Sequence, residues 1–245
     1  MVEKRKGLSP IIRIIGHRGS ADPRIQAFEG IDENTIKAFD WALKNGAAGI
    51  ECDIGGMTTD GHLVMNHDTA VGGRSISEMN LVEVGKILPN VSTFADVAYW
   101  LSRSKAECLL EIKSLGYSCY PAKLVIETLA TIELYHIKDR IQIVSFNPEI
   151  LRMFWDHGWT RLGFLYKKMQ AGDALIAAVN THSSMILPEQ SLVNTATVKL
   201  FRDYGLKIGV WTVDDPKKFE QLMKLRVDYV ITNRADKLVP LLPEN

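Results

Sequence analysis

Eight apolar runs of strand length recur along this chain, and most are separated by a segment of helical periodicity. The runs are Ile11–Gly16, Ala48–Ile54, Cys108–Ile112, Ile141–Phe146, Arg161–Tyr166, Ser184–Pro188, Lys207–Val213 and Tyr229–Thr232. Near-continuous Ile, Val and Leu content is what a parallel strand buried on both faces requires. The helix candidates between them are Thr35–Lys44, Ala122–Tyr135, Pro148–His157, Thr195–Tyr204, Pro216–Arg226 and Ala235–Leu241, with a shorter one around Gly172–Val179. Asn147 before Pro148 and Asp215 before Pro216 supply a capping side chain followed by proline at the first helical position. The third run arrives late. Residues 55–106, approximately, hold a hairpin-like Leu63–Asn66 and helix-like stretches near Ser77–Ile87 and Thr93–Arg103. The pattern predicts an α/β fold, a (β/α)8 TIM barrel forming one domain over residues 1–245, with a small insertion between strands 2 and 3 beside the active face. An open doubly wound sheet is the competing architecture, but no GxGxxG follows the first run.

In such a barrel the chemistry lies where strands end and loops begin. The polar residues collect there: His17-Arg18-Gly19, Glu51 and Asp53, Glu111 and Lys113, Ser145 and Asn147, Lys167, Trp211-Thr212, and Thr232-Asn233. Alternate residues of a strand share a face, so Glu51 and Asp53 aim at one point while Cys52 turns away. Two adjacent carboxylates repel unless a positive charge lies between them, and a divalent cation answers that need. The Thr-Thr-Asp-Gly turn and apolar run that follow deliver His67 near the same point. Carboxylates, a cation and a titratable base together point to hydrolysis.

The remaining composition narrows the partners. Lys plus Arg (29) balances Asp plus Glu (29), so no overall field draws the chain to nucleic acid or to a membrane surface. The basic start is followed only by IIRII, shorter than the roughly 7–15 apolar residues of a signal-peptide core. No apolar stretch reaches the roughly 18 residues of a membrane span. Cys52, Cys108 and Cys119 lack metal-knuckle spacing and read as reduced thiols. A cytoplasmic chain without stable membrane insertion is expected, and a homo-oligomer is compatible with it.

Taken in order, GHRG at Gly16–Gly19, ENT at Glu33–Thr35, ECD at Glu51–Asp53, DG at Asp60–Gly61, HD at His67–Asp68 and EIK at Glu111–Lys113 resemble the glycerophosphodiester phosphodiesterase family. WTVD at Trp211–Asp214 and DYVITNR at Asp228–Arg234 resemble its last two strands. The resemblance implies a metal-dependent catalytic (β/α)8 barrel that hydrolyses glycerophosphodiesters to glycerol 3-phosphate and an alcohol. It further implies that Glu51, Asp53 and Glu111 ligate one divalent cation, Mg2+ or Ca2+. His17 and His67 would be the acid/base pair, and Arg18 and Lys113 would hold the phosphate. All-oxygen ligands suit a hard cation, and Arg18 and Lys113 would offset the repulsion between a phosphodiester and three carboxylates. Water and the neighbouring glycerol hydroxyl are both open as the nucleophile.

Around that set, Trp211 is open to two readings, a wall for the glycerol or a filler of the barrel mouth. Glu33 is open to two readings, a cap for the helix at Thr35 shared with Asn34 or Asp32, or an orienting partner of His17 and Arg18. Lys167 is open as a phosphate contact or a solvated side chain, Asn147 as a site residue or only a helix cap, and His62, His136, His157 and His182 read as structural or solvated. Four departures from the family pattern stand out: Asp32 in place of the usual proline, a longer loop from Gly19 to Glu33, an extra residue in Gly55-Gly56-Met57, and Asn233 where aspartate is usual. A glycine-rich bulge would absorb the third. Two alternatives to the diesterase are a relative that cleaves lysophospholipids, in the manner of a lysophospholipase D, and a catalytically silent barrel that binds phosphodiesters.

Overall fold

The computed structural model describes residues 12–113 and 121–243, so Ile11 of the first expected strand and Cys119 lie outside the described residues. The chain begins with β1 (Arg13–His17), α1 (Pro23–Glu29), α2 (Ile36–Lys44) and β2 (Gly49–Met57). Then come β3 (Leu63–Met65), β4 (Ala70–Val71), β5 (Arg74–Ser75), α3 (Leu81–Ile87), α4 (Phe94–Arg103) and β6 (Glu107–Ile112). The regular part continues through α5 (Pro121–Leu134), β7 (Ile141–Ser145), α6 (Pro148–Asp156), β8 (Leu162–Tyr166), α7 (Ala171–Asn180) and β9 (Met185–Pro188). It finishes with α8 (Thr195–Asp203), β10 (Lys207–Val210), α9 (Pro216–Leu225), β11 (Tyr229–Thr232) and α10 (Ala235–Leu238).

The parallel strands close on themselves in the order β1-β2-β6-β7-β8-β9-β10-β11, with β11 pairing back onto β1. This is a closed eight-stranded (β/α)8 barrel. Period-two alternation sorts its side chains into two layers. Ile50, Cys52 and Ile54 of β2 face outward into the strand–helix layer, while Ile15, Leu109, Val144, Leu165, Leu187 and Ile231 pack inside the barrel. Glu51, Asp53 and Glu111 lie above that apolar interior, at the C-terminal rim. Cys52 and Cys108 meet in the outer layer as free thiols, Sγ to Sγ 3.6 Å.

The segment between β2 and β6 holds β3, which pairs antiparallel with the end of β2, the β4–β5 hairpin, and α3, capped by a reciprocal Asn80–Glu83 box. That box begins α3 at Leu81, so the expected Ser77–Ile87 helix divides into a short 3-10 turn and α3. α4 packs against α2 and α5 in the outer ring. The β2–β3 register shifts between Ile54 and Gly56: the glycine pair carries a bulge. A Cβ on Gly55 would fall 2.6 Å from the Asn66 and Asp68 carbonyl oxygens, so only glycine lets this rim approach so closely.

Two further elements differ from the sequence expectation. The loop from Gly19 to Glu33 contains α1, started by Asp22 accepting from Arg24 N–H with Pro23 at the first helical position. It ends at Gly30 in the left-handed region. The last barrel strand but one stops at Val210 rather than Val213, because Trp211 makes only an isolated bridge to Glu189.

Candidate active site

The turn after β1 sets the first group of side chains. Arg18 has φ 52° and Gly19 φ 77°, and a Cβ on Gly19 would meet the Ala38 backbone at 2.5 Å. This left-handed turn folds Arg18 back over the barrel mouth. Its backbone N–H donates to Glu51 Oε2 (3.0 Å), its Nη1 donates to Glu33 Oε1 (2.9 Å), and its Nε lies 3.4 Å from Asp53 Oδ2. Glu33 is therefore occupied with Arg18. The cap of α2 is Thr35, whose side chain accepts from Ala38 N–H.

The neighbouring strands deliver the acids. Glu51 and Asp53 from β2 and Glu111 from β6 are all buried, and one carboxylate oxygen of each lies within 4.8 Å of the others. Asp53 and Glu111 are register partners across the β2–β6 ladder, which fixes their separation. Asn34, with φ 58°, clamps Asp53 from behind. Its Oδ1 accepts the Asp53 N–H and its Nδ2 donates to Asp53 Oδ2, both at 2.9 Å. The Lys113 ammonium lies among the acids, 2.8 Å from Asp53 Oδ1 and 2.7 Å from Glu111 Oε1.

Charge at this rim is unbalanced. Three carboxylates face two cations, and Arg18 is shared with Glu33. Burial, with the charges of Asp53 and Glu111, pushes the Glu51 carboxyl well above the usual range. Burial and the Asp53 charge push Glu111 up to about 7. Burial opposes ionisation of Asp53 too, but Lys113 and Arg18 outweigh it and hold that carboxyl below its ordinary value. Asp53 Oδ1, although close to Lys113, receives no aligned hydrogen bond. An excess of buried negative charge and an all-carboxylate donor set fit a hard divalent cation.

Two histidines flank the acids differently. His17 is buried deeply enough that desolvation, reinforced by the Arg18 charge, brings its pKa down to about 4. Its Nδ1 lies 2.7 Å from Asn233 Oδ1. The orientation of that amide is set by its other end, where Asn233 Nδ2 donates to Asp214 Oδ2 at 2.8 Å. Oδ1 is thus an acceptor, Nδ1 carries the proton, and Nε2 presents a lone pair on the Glu51 side, 3.9 Å from Oε2. His67 is more open, 42% exposed, with Nδ1 2.8 Å from Asp68 Oδ1.

The cleft brings together His17, Arg18, Glu51, His67, Glu111 and Lys113 on one side. Phe146, Leu187, Trp211 and Ile231 form the apolar side opposite. Trp211 donates Nε1–H to the Leu187 carbonyl (2.8 Å) and stands edge-on to Phe146 at 5.3 Å, so the ring is a fixed wall. Lys167 reaches over the Phe146 ring, 5.5 Å from its centroid. Three positioning contacts were not foreseen from the sequence: Asn34, read there only as a possible cap, behind Asp53, and Asn233 with Asp214 behind His17. Asn233 was visible as a polar strand-end residue and as a departure from a pattern.

Comparison with known proteins places the chain among relatives of one family and fold. A family model described as the glycerophosphoryl diester phosphodiesterase family matches residues 17–237. A glycerophosphodiester phosphodiesterase of Caldanaerobacter subterraneus subsp. tengcongensis is 28% identical over 250 aligned residues, covering 94% of this chain and 97% of that protein. Among solved structures, a glycerophosphodiester phosphodiesterase from Parabacteroides distasonis superposes with a TM-score of 0.81 at 19% identity, covering 96% of this chain and 98% of that one. A phosphodiesterase of Oleispira antarctica in complex with sn-glycerol-3-phosphate gives a TM-score of 0.79 at 18% identity, over 94% of this chain and 96% of that one.

Proposed function

The chain belongs to the glycerophosphoryl diester phosphodiesterase family, and from that premise we propose that it hydrolyses glycerophosphodiesters to glycerol 3-phosphate and an alcohol. One observation carries the reading: three buried acids lie within 4.8 Å of one another, and two of them, Glu51 and Glu111, line a cleft with two histidines, an arginine and a lysine. Glu51, Asp53 and Glu111 would hold one divalent cation, magnesium or calcium. When bound, the cation supplies Lewis-acid stabilisation of the phosphoryl oxygens.

The chain's own groups do the rest. Arg18 and Lys113 bind the phosphate, and Glu33 keeps the Arg18 fork aimed at the cleft. His17, held neutral by burial with Nε2 free, accepts the proton of the attacking hydroxyl, water or the glycerol's own. His67, oriented by Asp68, protonates the departing alkoxide. Trp211 walls the glycerol side. The free buried thiols of Cys52 and Cys108 support a cytoplasmic setting. Among the described residues no helix is long and apolar enough to cross a membrane.

The test is release of glycerol 3-phosphate from glycerophosphodiesters after chelation, with magnesium, calcium or manganese then added back. No release under any of the three ions sinks the proposal. A companion variant assigns the acid. His67→Ala is expected to lower kcat by about 10²–10⁴-fold while the cation still binds, and turnover at the wild-type rate would remove His67 from the mechanism.

A further inference from the structure

The catalytic cleft has a charged half and an apolar half. His17, Arg18, Glu51, His67, Glu111 and Lys113 line the first. Val144, Phe146, Leu165, Leu187, Trp211 and Ile231 line the second. One further side chain borders the cleft: Lys167, directly after β8, whose ammonium lies 5.5 Å from the Phe146 ring centroid. Phe146 in turn meets Trp211 edge-on. Lys167 therefore stands beside the aromatic wall, as a cation on the apolar half.

Polar groups on that half are otherwise committed. The Trp211 indole N–H is taken by the Leu187 carbonyl at 2.8 Å. Among the described residues the Lys167 ammonium pairs with no carboxylate, and its contact is the Phe146 ring. Glu189 follows β9 as Lys167 follows β8, yet its Oε2 accepts from Ser191 Oγ–H at 2.7 Å instead. Arg18 and Lys113, the other two cations of the cleft, are both held by acids. Lys167 is the one that remains open to a ligand.

We propose that Lys167 donates to the free hydroxyls of the glycerol arm and so determines specificity for the glycerol half of the diester. The proposal rests on the phosphodiesterase reading, in which Trp211 walls the glycerol side. An apolar wall suits the carbon skeleton of glycerol, but each hydroxyl it strips of water needs a new hydrogen-bond partner. An ammonium brings three N–H donors on a flexible stem, and the Phe146 face holds it beside the wall. A site that donates to a substrate hydroxyl discriminates against the analogue lacking it. Lys167 is exposed at the cleft mouth and keeps water when the hydroxyl is missing. The discrimination is therefore about tenfold, well short of the ~10⁴-fold of a buried donor.

The experiment titrates magnesium-loaded protein calorimetrically with glycerol 3-phosphate and with n-propyl phosphate, which keeps the phosphate and the carbon chain but lacks both hydroxyls. The wild type should bind glycerol 3-phosphate about tenfold more tightly. Lys167→Met should weaken glycerol 3-phosphate about tenfold and leave propyl phosphate within about twofold. The same variant should lower kcat/KM for glycerophosphocholine by a similar factor. Equal wild-type constants for the two ligands would overturn the role of Lys167. An equal loss on both in Lys167→Met would also overturn it, since that pattern is a general attraction of the ammonium for phosphate. Failure of the wild type to hydrolyse glycerophosphocholine and glycerophosphoethanolamine would instead overturn the phosphodiesterase reading, whichever way the two constants fall.

Discussion

Asn34 gives both ends of its amide to one residue, pairing with the Asp53 backbone and carboxylate at 2.9 Å. Removing it leaves a buried N–H and a buried carboxylate oxygen short of a partner, a cost of about 1–3 kcal/mol. Asn34→Ala is therefore expected to melt several degrees lower and to bind magnesium about 10–100-fold more weakly. Calorimetric titration reads the second effect, and an unchanged affinity would contradict this role for Asn34. The amino-acid sequence showed the acids and histidines because their chemistry is rare and their spacing along strands is periodic. It did not show Asn34, or the Asn233–Asp214 pair behind His17. An asparagine in a loop is usually a cap or a turn. The His17–Asn233 contact spans 216 positions, a distance only barrel closure brings together.

At the scale of elements, the barrel strands were legible because burial on both faces demands unbroken apolar runs. α1 was equally marked and was missed. Asp22-Pro23 has the same cap-and-proline form as Asn147-Pro148 and Asp215-Pro216, but its short span buries only Ile25, so no apolar periodicity announced it. The bulge in β2 was legible from its glycines, and it has a mechanical role. It lets the Asn66 and Asp68 carbonyls close to within contact of Gly55, which brings the His67 loop over the acids. Gly55→Ala is expected to displace that loop and reduce kcat far more than magnesium affinity, read by steady-state kinetics beside a cation titration. Turnover within about twofold of wild type would show that the loop does not depend on the bulge.

For the whole molecule, the buried rim couples folding to pH. Glu111 binds its proton more tightly in the folded state, about 7 against an ordinary 4.5, so its contribution is complete below 4.5 and is lost as pH rises through 7. Glu51 acts in the same direction. His17 acts oppositely: lowered from 6.5 to about 4, it favours the folded state above 6.5 and loses that contribution as pH falls through 4. The two trends oppose each other up to 6.5, above which only the carboxyl trend remains. Chelated protein should thus have a lower Tm at pH 8 than at pH 6.5, and saturating magnesium should flatten or reverse the difference by binding the ionised acids. A chelated Tm that rises over this interval would refute the account. The Lys113 ammonium lies between Asp53 and Glu111. Loading the site is an exchange of a tethered monovalent ion for a free divalent one, so the apparent affinity measures a difference between two occupants. Lys113→Met should tighten magnesium binding while slowing turnover. Background salt, whose Debye screening acts on exposed charges, should barely alter an exchange that takes place behind the protein surface.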